Sequence, residues 1–306
     1  MRSLLSLLLL FILFSASSQV LTTLDTHKSN LKYLQIEDGK MAYIDEGTGP
    51  VLLLLHGVPT SSYLYRKMVP LLAEAGYRVI VPDAFGYGQS DKIKDYKVYS
   101  PQDQARRFHE FMVMLNIDRW TQVCHDAGSL WTWAMLLQDH TKVERLILLN
   151  SIVYEEGFRP PIKPGKFLSK FVAGFYQGPL FGSTIVKKTL KNGLYKYKLS
   201  IEEYEAYWRP FRTDGKYAIR NFFQSMSSYP TLLTNNQNLM KDVKIPTSII
   251  WGERDKILVA KHQIPLIMRD FNVDPLNVHL LFDQEHFIQE QAPETVVELM
   301  IQFLKI

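Results

Sequence analysis

The sequence predicts an α/β protein built on a mostly parallel sheet. Short apolar runs alternate with amphipathic helical stretches between residues 31 and 150 and again from residue 245 to the C-terminus. Alternation at this spacing marks βαβ units. Residues 51–55, Val-Leu-Leu-Leu-Leu, are apolar at every position, as a strand covered on both faces requires. With 306 residues, 46% of them hydrophobic and 22% charged, the chain has ample material for a core, and collagen-like or disordered classes are excluded. One cysteine, Cys124, can form neither an intramolecular disulfide nor a cysteine-based zinc site.

The chain opens on Arg2, an apolar run over residues 4–14 and the small residues Ser15-Ala16-Ser17-Ser18. This pattern reads as a secretory signal over residues 1–18, cut near Ser18. The run falls short of the ~20 residues that span a bilayer. The protein is therefore expected to be secreted or periplasmic, the alternative being a membrane anchor made by an uncleaved signal.

Residues 31–36 and 41–45 read as hairpin strands around Glu37-Asp38-Gly39, followed by the buried strand 51–55. A helical pattern over 63–75 closes at Gly76, and a strand over 78–81 ends at Pro82-Asp83. Ser100 caps a helix with Pro101 at its first position and an apolar face through Phe108, Phe111, Met112 and Leu115. A strand over 120–124, a helix over 129–138 and a strand over 143–149 complete the first half.

Residues 151–239 are Pro-, Tyr- and Phe-rich with Lys-dotted helical stretches and no convincing strand. They read as a helical cap inserted after the sixth core strand. The core is then split into an N-terminal part, 19–150, and a C-terminal part, 240–306. The latter holds a strand at 245–251, a helix over 260–270, a strand at 277–282 and a last helix over 293–304. The cap lysines Lys187, Lys188, Lys196 and Lys198 read as a solvated face. The net charge of +4 is spread among acidic residues without a basic stripe, so nucleic acid is not an expected partner.

In open α/β sheets the ligand crevice lies beyond the carboxyl ends of the strands. Three polar residues fall there. Asp126 sits in Cys124-His125-Asp126-Ala127-Gly128-Ser129, between a strand and a helix. This is the setting of a nucleophile elbow, with aspartate where G-x-S-x-G enzymes carry serine. Asp255 follows the strand ending in Trp251-Gly252, and His286 lies in the loop after the strand ending at Phe282. Nucleophile, acid and histidine in that chain order form a catalytic triad of the α/β type. His56-Gly57-Val58-Pro59 follows the first buried strand. There the backbone N–H of Val58 can join that of Ala127 in an oxyanion hole. His56 and His125 read as hydrogen-bonded scaffold, and Gly86-Tyr87-Gly88-Gln89-Ser90 lacks the third glycine of a dinucleotide fingerprint.

The run from His56 to Arg66, PDAFGYGQSDK from Pro82 to Lys92, HDAGS, WGERD and EHFIQEQAPE together resemble the haloalkane dehalogenase and epoxide hydrolase group of the α/β-hydrolase superfamily. The resemblance covers nearly the whole mature chain and is looser in the cap. It implies that Asp126 is a nucleophile, His286 the base that activates water and Asp255 its partner. The expected substrate is a small apolar electrophile, with water as co-substrate and no metal or organic cofactor. Attack by a carboxylate on saturated carbon leaves an ester that can be hydrolysed.

Two departures bear on the substrate. Many dehalogenases place asparagine after His-Gly and tryptophan after the nucleophile; here those positions are Val58 and Ala127, whose side chains donate no hydrogen bond. Epoxide hydrolases use cap tyrosines, often within Asn-Trp-Tyr, and the nearest run here is Asn221-Phe222-Phe223. Tyr154, Tyr176, Tyr204, Tyr207 and Tyr217 are the cap residues expected to replace the hydroxyl. An epoxide is accordingly expected ahead of an alkyl halide. A homologue that binds ligand without turnover is the reading of another class.

Overall fold

The alternating runs assemble into one eight-stranded sheet. The computed structural model describes residues 24–160, 168–177 and 182–305; the expected signal segment lies outside them. The strands are β1 (Lys32–Ile36), β2 (Gly39–Glu46), β3 (Val51–Leu55), β4 (Arg78–Pro82), β5 (Trp120–Asp126), β6 (Val143–Ser151), β7 (Thr247–Gly252) and β8 (Val278–Leu281). Their order is β1-β2-β4-β3-β5-β6-β7-β8. β2 pairs antiparallel with β1 and with β4, and every other pairing is parallel.

The helices of the core are α1 (Leu24–Ser29), α2 (Val69–Glu74), α3 (Pro101–Met114) and α4 (Gly128–Asp139) before the cap. Leu52, Leu53, Leu54 and Leu55 are fully buried, each adding about 2 kcal/mol of hydrophobic stabilisation. All of β5 is buried as well, so the strand that carries Asp126 cannot shift without disturbing both layers. α3 begins as expected, with Pro101 in its first turn and the Ser100 hydroxyl accepting from the Asp103 N–H at 3.1 Å.

One element differs from its sequence pattern. The helix expected over 63–75 is broken into a 3₁₀ turn, Ser62–Tyr65, and the short α2. Pro70 lies in the first turn of α2, where its missing N–H is harmless; inside a continuous helix it would remove a hydrogen bond.

Between β6 and β7 lie α5 (Ser169–Gln177), α6 (Gly182–Asn192), α7 (Ile201–Trp208), α8 (Lys216–Ser225) and α9 (Tyr229–Val243). The described part of the insertion is thus helical, as expected. α7 opens on a capping box: the Ser200 hydroxyl accepts from the Glu203 N–H at 3.1 Å, and the Ser200 N–H donates to Glu203 Oε2 at 2.8 Å. After β7 come α10 (Ala260–Phe271), α11 (Ile288–Gln291) and α12 (Pro293–Leu304). Among the described residues no helix is long and apolar enough to cross a membrane.

A buried ionic cluster joins cap to core. Arg66, beside the 3₁₀ turn, pairs with Glu203 of α7 and Glu290 of α11, while Lys67 Nζ lies 2.7 Å from Glu290 Oε2. The Tyr207 hydroxyl donates to the same Glu290 at 2.5 Å. Five polar groups thereby satisfy one another in a largely buried cluster.

Candidate active site

β5, β6, β7 and the loop after β8 deliver their carboxyl ends to one place. Asp126, the last residue of β5, has φ +50°, a left-handed conformation that costs an L-residue about 1–2 kcal/mol. The strain turns the side chain out of the strand at the mouth of α4. Its neighbours must be bare for this turn to fit. A Cβ on Gly57 would lie 2.4 Å from that of Asp126, and one on Gly128 would lie 2.5 Å from the Leu55 carbonyl.

The three residues singled out from the sequence meet here. Asp126 Oδ1 accepts from the Val58 N–H at 2.8 Å. Asp126 Oδ2 lies 3.5 Å from His286 Nε2, an ion-pair distance beyond a good hydrogen bond. His286 Nδ1 is 2.8 Å from Asp255 Oδ2. Asp255 Oδ1 accepts from the N–H groups of Ile257 and Leu258 at 2.7 and 3.0 Å. Ala127 follows Asp126 as the N-cap of α4, a position whose backbone N–H belongs to the first, unpaired turn.

Asn150 was not singled out. At φ +41° near the end of β6, its Nδ2 donates to Asp255 Oδ2 at 2.7 Å and its Oδ1 accepts from the Gly252 N–H at 3.0 Å. The signal available in sequence was an asparagine, the residue most tolerant of positive φ after glycine, where the strand pattern stopped.

Charge follows from these contacts. Burial alone would lower the basicity of His286, but the charges of Asp255 and Asp126 outweigh it and raise its pKa to about 10. Burial works against ionised Asp126, and the protonated His286 together with the Val58 N–H still holds its carboxyl below the ordinary range. Both contacts favour the carboxylate form of Asp126 and the protonated form of His286. His125 behaves as scaffold: burial, reinforced by the charge of His286, depresses it to about 3. Its Nε2 bonds the His286 carbonyl at 3.0 Å. His56 is likewise tied, its Nε2 accepting from the Ala84 N–H at 3.1 Å and its Nδ1 donating to the Gly57 carbonyl at 2.8 Å.

Asp126 and His286 open on a cavity of about 40 Å³ lined also by Val58, Phe158, Thr189, Phe222 and Phe223. Phe222 and Phe223 of the run Asn221-Phe222-Phe223 thus share the cavity with Asp126 and His286 and bring no hydroxyl. Tyr154, Tyr204, Tyr207 and Tyr217 do not line this cavity, which corrects the expectation that one of them would. Tyr154 donates to Asp270 at 2.7 Å, and Tyr207 donates to Glu290. The rings of Tyr204 and Tyr217 carry the ammonium groups of Lys187 and Lys216, each at 5.3 Å. Tyr207 and Tyr154 are bound to carboxylates because a buried phenol needs an acceptor. The side chain of Tyr176 lies outside the described residues. Thr189 is the one hydroxyl-bearing residue among the described residues lining the cavity.

A parallel sheet, an elbow at the end of β5 and an acid and histidine on later strands define a hydrolase of the α/β class. Residues 50–293 match the alpha/beta hydrolase fold family, and the chain belongs to it. It is a hydrolase of the haloalkane dehalogenase and epoxide hydrolase type, with relatives of both names. A haloalkane dehalogenase of Psychrobacter cryohalolentis is 28% identical, over 94% of this chain and 98% of that protein. Epoxide hydrolase 3 of Xenopus tropicalis is 25% identical, over 89% of this chain and 77% of that protein. The crystal structure of DBJA superposes with a TM-score of 0.72 at 18% identity, covering 90% of this chain and 96% of that one, and so shares the fold.

Proposed function

We propose that the protein hydrolyses an electrophile at saturated carbon through a covalent ester on Asp126. The observation that carries this reading is the Asp126 carboxyl group at the elbow, 3.5 Å from His286 and facing a mainly apolar cavity. Asp126 is already deprotonated, so the first step needs no base. Its carboxylate attacks carbon, the carbon–oxygen or carbon–halogen bond breaks, and one of the two charges that hold His286 protonated, that of Asp126, disappears. His286 then releases its proton, which balances the alkoxide or halide that has formed. Now neutral, Nε2 takes a proton from water, and hydroxide adds to the ester carbonyl carbon. The oxyanion on Oδ1 is met by the Val58 N–H, already 2.8 Å away, and by that of Ala127. Collapse releases the alcohol and restores carboxylate and imidazolium. Asp255, fixed by Asn150 and two backbone N–H groups, holds His286 in the productive tautomer.

The first reading of the electrophile is an epoxide, with Thr189 as the hydroxyl beside the departing oxygen. An alkyl halide is the second, favoured by the displacement of Tyr154, Tyr204, Tyr207 and Tyr217 from the cavity, since a halide departs without a proton. Single turnover in heavy-oxygen water tests the ester. The first product carries ordinary oxygen from Asp126 and the label enters the Asp126 carboxylate; label in the first product would overturn the reading. Diol from epoxides or halide from haloalkanes then separates the two electrophiles.

A further inference from the structure

We propose that the peptide unit joining His286 to Phe287 is a clamp that sets the base in place, and that His125 and the cap residue Gly193 are positioning residues for the hydrolytic step. The assignment of a step rests on the Asp126 ester, because only its hydrolysis uses His286 as a base.

A trans peptide is planar, and its C=O and N–H point in opposite directions. This one is trans and is held at both ends. Its carbonyl, that of His286, accepts from His125 Nε2 at 3.0 Å, on the residue that precedes Asp126 in β5. Its N–H, that of Phe287, donates to the Gly193 carbonyl at 3.1 Å, directly after the last residue of α6. One rigid plane thus ties the strand that carries Asp126 to the cap. The backbone of His286 is fixed by that plane, as its ring is fixed by Asp255.

His125 is fully buried. A carbonyl only accepts, so Nε2 carries the proton and Nδ1 is left an acceptor, which has no partner among the described residues. The ring therefore tolerates a buried, unsatisfied atom, which is unfavourable, and its one side-chain hydrogen bond goes to the His286 carbonyl. Gly193 is bare for a steric reason. A Cβ there would lie 2.7 Å from two ring carbons of Phe287 and 3.1 Å from the Cβ of His286. The Phe287 ring is buried, with its centroid 4.8 Å from that of His286 and 5.7 Å from that of His125. In so close a packing a methyl at position 193 is transmitted to the imidazole. The Gly193 N–H donates in turn to the Thr189 carbonyl at 3.2 Å, so the clamp continues into the part of α6 that lines the cavity.

Three variants are compared with the wild type. His125→Phe keeps a ring and removes the donor, His125→Gln offers an amide N–H to the same carbonyl, and Gly193→Ala presses on Phe287. Single turnover of epoxides and haloalkanes, followed by the mass of the Asp126 peptide, separates ester formation from ester hydrolysis. His125→Phe and Gly193→Ala should form the ester within about threefold of the wild-type rate and hydrolyse it at least about tenfold more slowly, so that it accumulates. His125→Gln should recover most of that loss. In protein without substrate, the downfield proton resonance of the His286–Asp255 hydrogen bond should shift in His125→Phe and Gly193→Ala and return in His125→Gln. Equal slowing of both steps, hydrolysis at the wild-type rate or an unmoved resonance in His125→Phe overturns the proposal, and the two His125 variants decide this even where Gly193→Ala does not fold. Wild-type behaviour of folded Gly193→Ala overturns the role of the cap residue. If the resonance shifts but no adduct forms on Asp126 in any form of the protein, the ester reading fails and the clamp on His286 stands.

Discussion

Asn150 donates to Asp255 at 2.7 Å across 105 residues of sequence, tying the end of β6 to the loop after β7 on the very oxygen that His286 shares. Replacing it removes a donor to a buried charge and an acceptor from the Gly252 N–H. Asn150→Ala should destabilise the protein by about 2–4 kcal/mol and lower kcat by up to about 100-fold through misplacement of His286. Thermal melting and steady-state kinetics check both. An unchanged kcat would make Asn150 purely structural.

Stability should follow the ionisation of the pair. The pKa of His286 is raised to about 10 in the fold against 6.5 when free, so its contribution is complete below about pH 6.5 and is lost as pH rises through 10. Asp126 has the opposite sign: its contribution is complete above its ordinary 3.8 and is lost as pH falls through its lower folded value. Melting temperature should thus be highest between these limits, and Asp255→Asn should flatten the alkaline decline. Calorimetry across pH reads this directly.

Gly57→Ala puts a methyl 2.4 Å from Asp126 Cβ and 2.5 Å from Oδ1. The elbow and the Val58 loop must part, which takes the oxyanion donor from its acceptor. Activity should fall by about 100-fold or more, while the far end of the sheet keeps its amide-exchange protection.

Tyr207→Phe distinguishes a cap tyrosine in catalysis from one in the cap–core junction. Its hydroxyl bonds Glu290, so the variant should lower the melting temperature and leave kcat within about twofold. Glu290→Gln should cost more, about 3–5 kcal/mol, because Arg66 and Lys67 are left facing a neutral amide.

The fold and the placing of Asp126, Asp255 and His286 at strand ends could be read from sequence because each depends on local pattern. Val51–Leu55 announces a doubly covered strand by composition, and Asp126 announces an elbow by standing between a strand and Gly128. Pro70 shows where that logic weakens: the apolar spacing of a helix was present, but one missing N–H divided it. Asn150 and the displaced tyrosines depend instead on tertiary contacts, Asp255 for one and Asp270 and Glu290 for the others. No local spacing encodes which carboxylate a buried phenol will find. Cys124 is a middle case. Its place beside the elbow was visible, whereas its inertness comes from burial, which pushes the thiol up to about 12.

The most direct test of the account is the mass of Asp126 in His286→Ala protein after exposure to a panel of epoxides and haloalkanes. Without its base the enzyme should complete the first step and stall. The peptide bearing Asp126 should then gain one equivalent of substrate: the whole epoxide, or the alkyl group of a halide. Turnover by the wild type with no adduct on Asp126 in the variant, or with the adduct on another residue, would contradict the account.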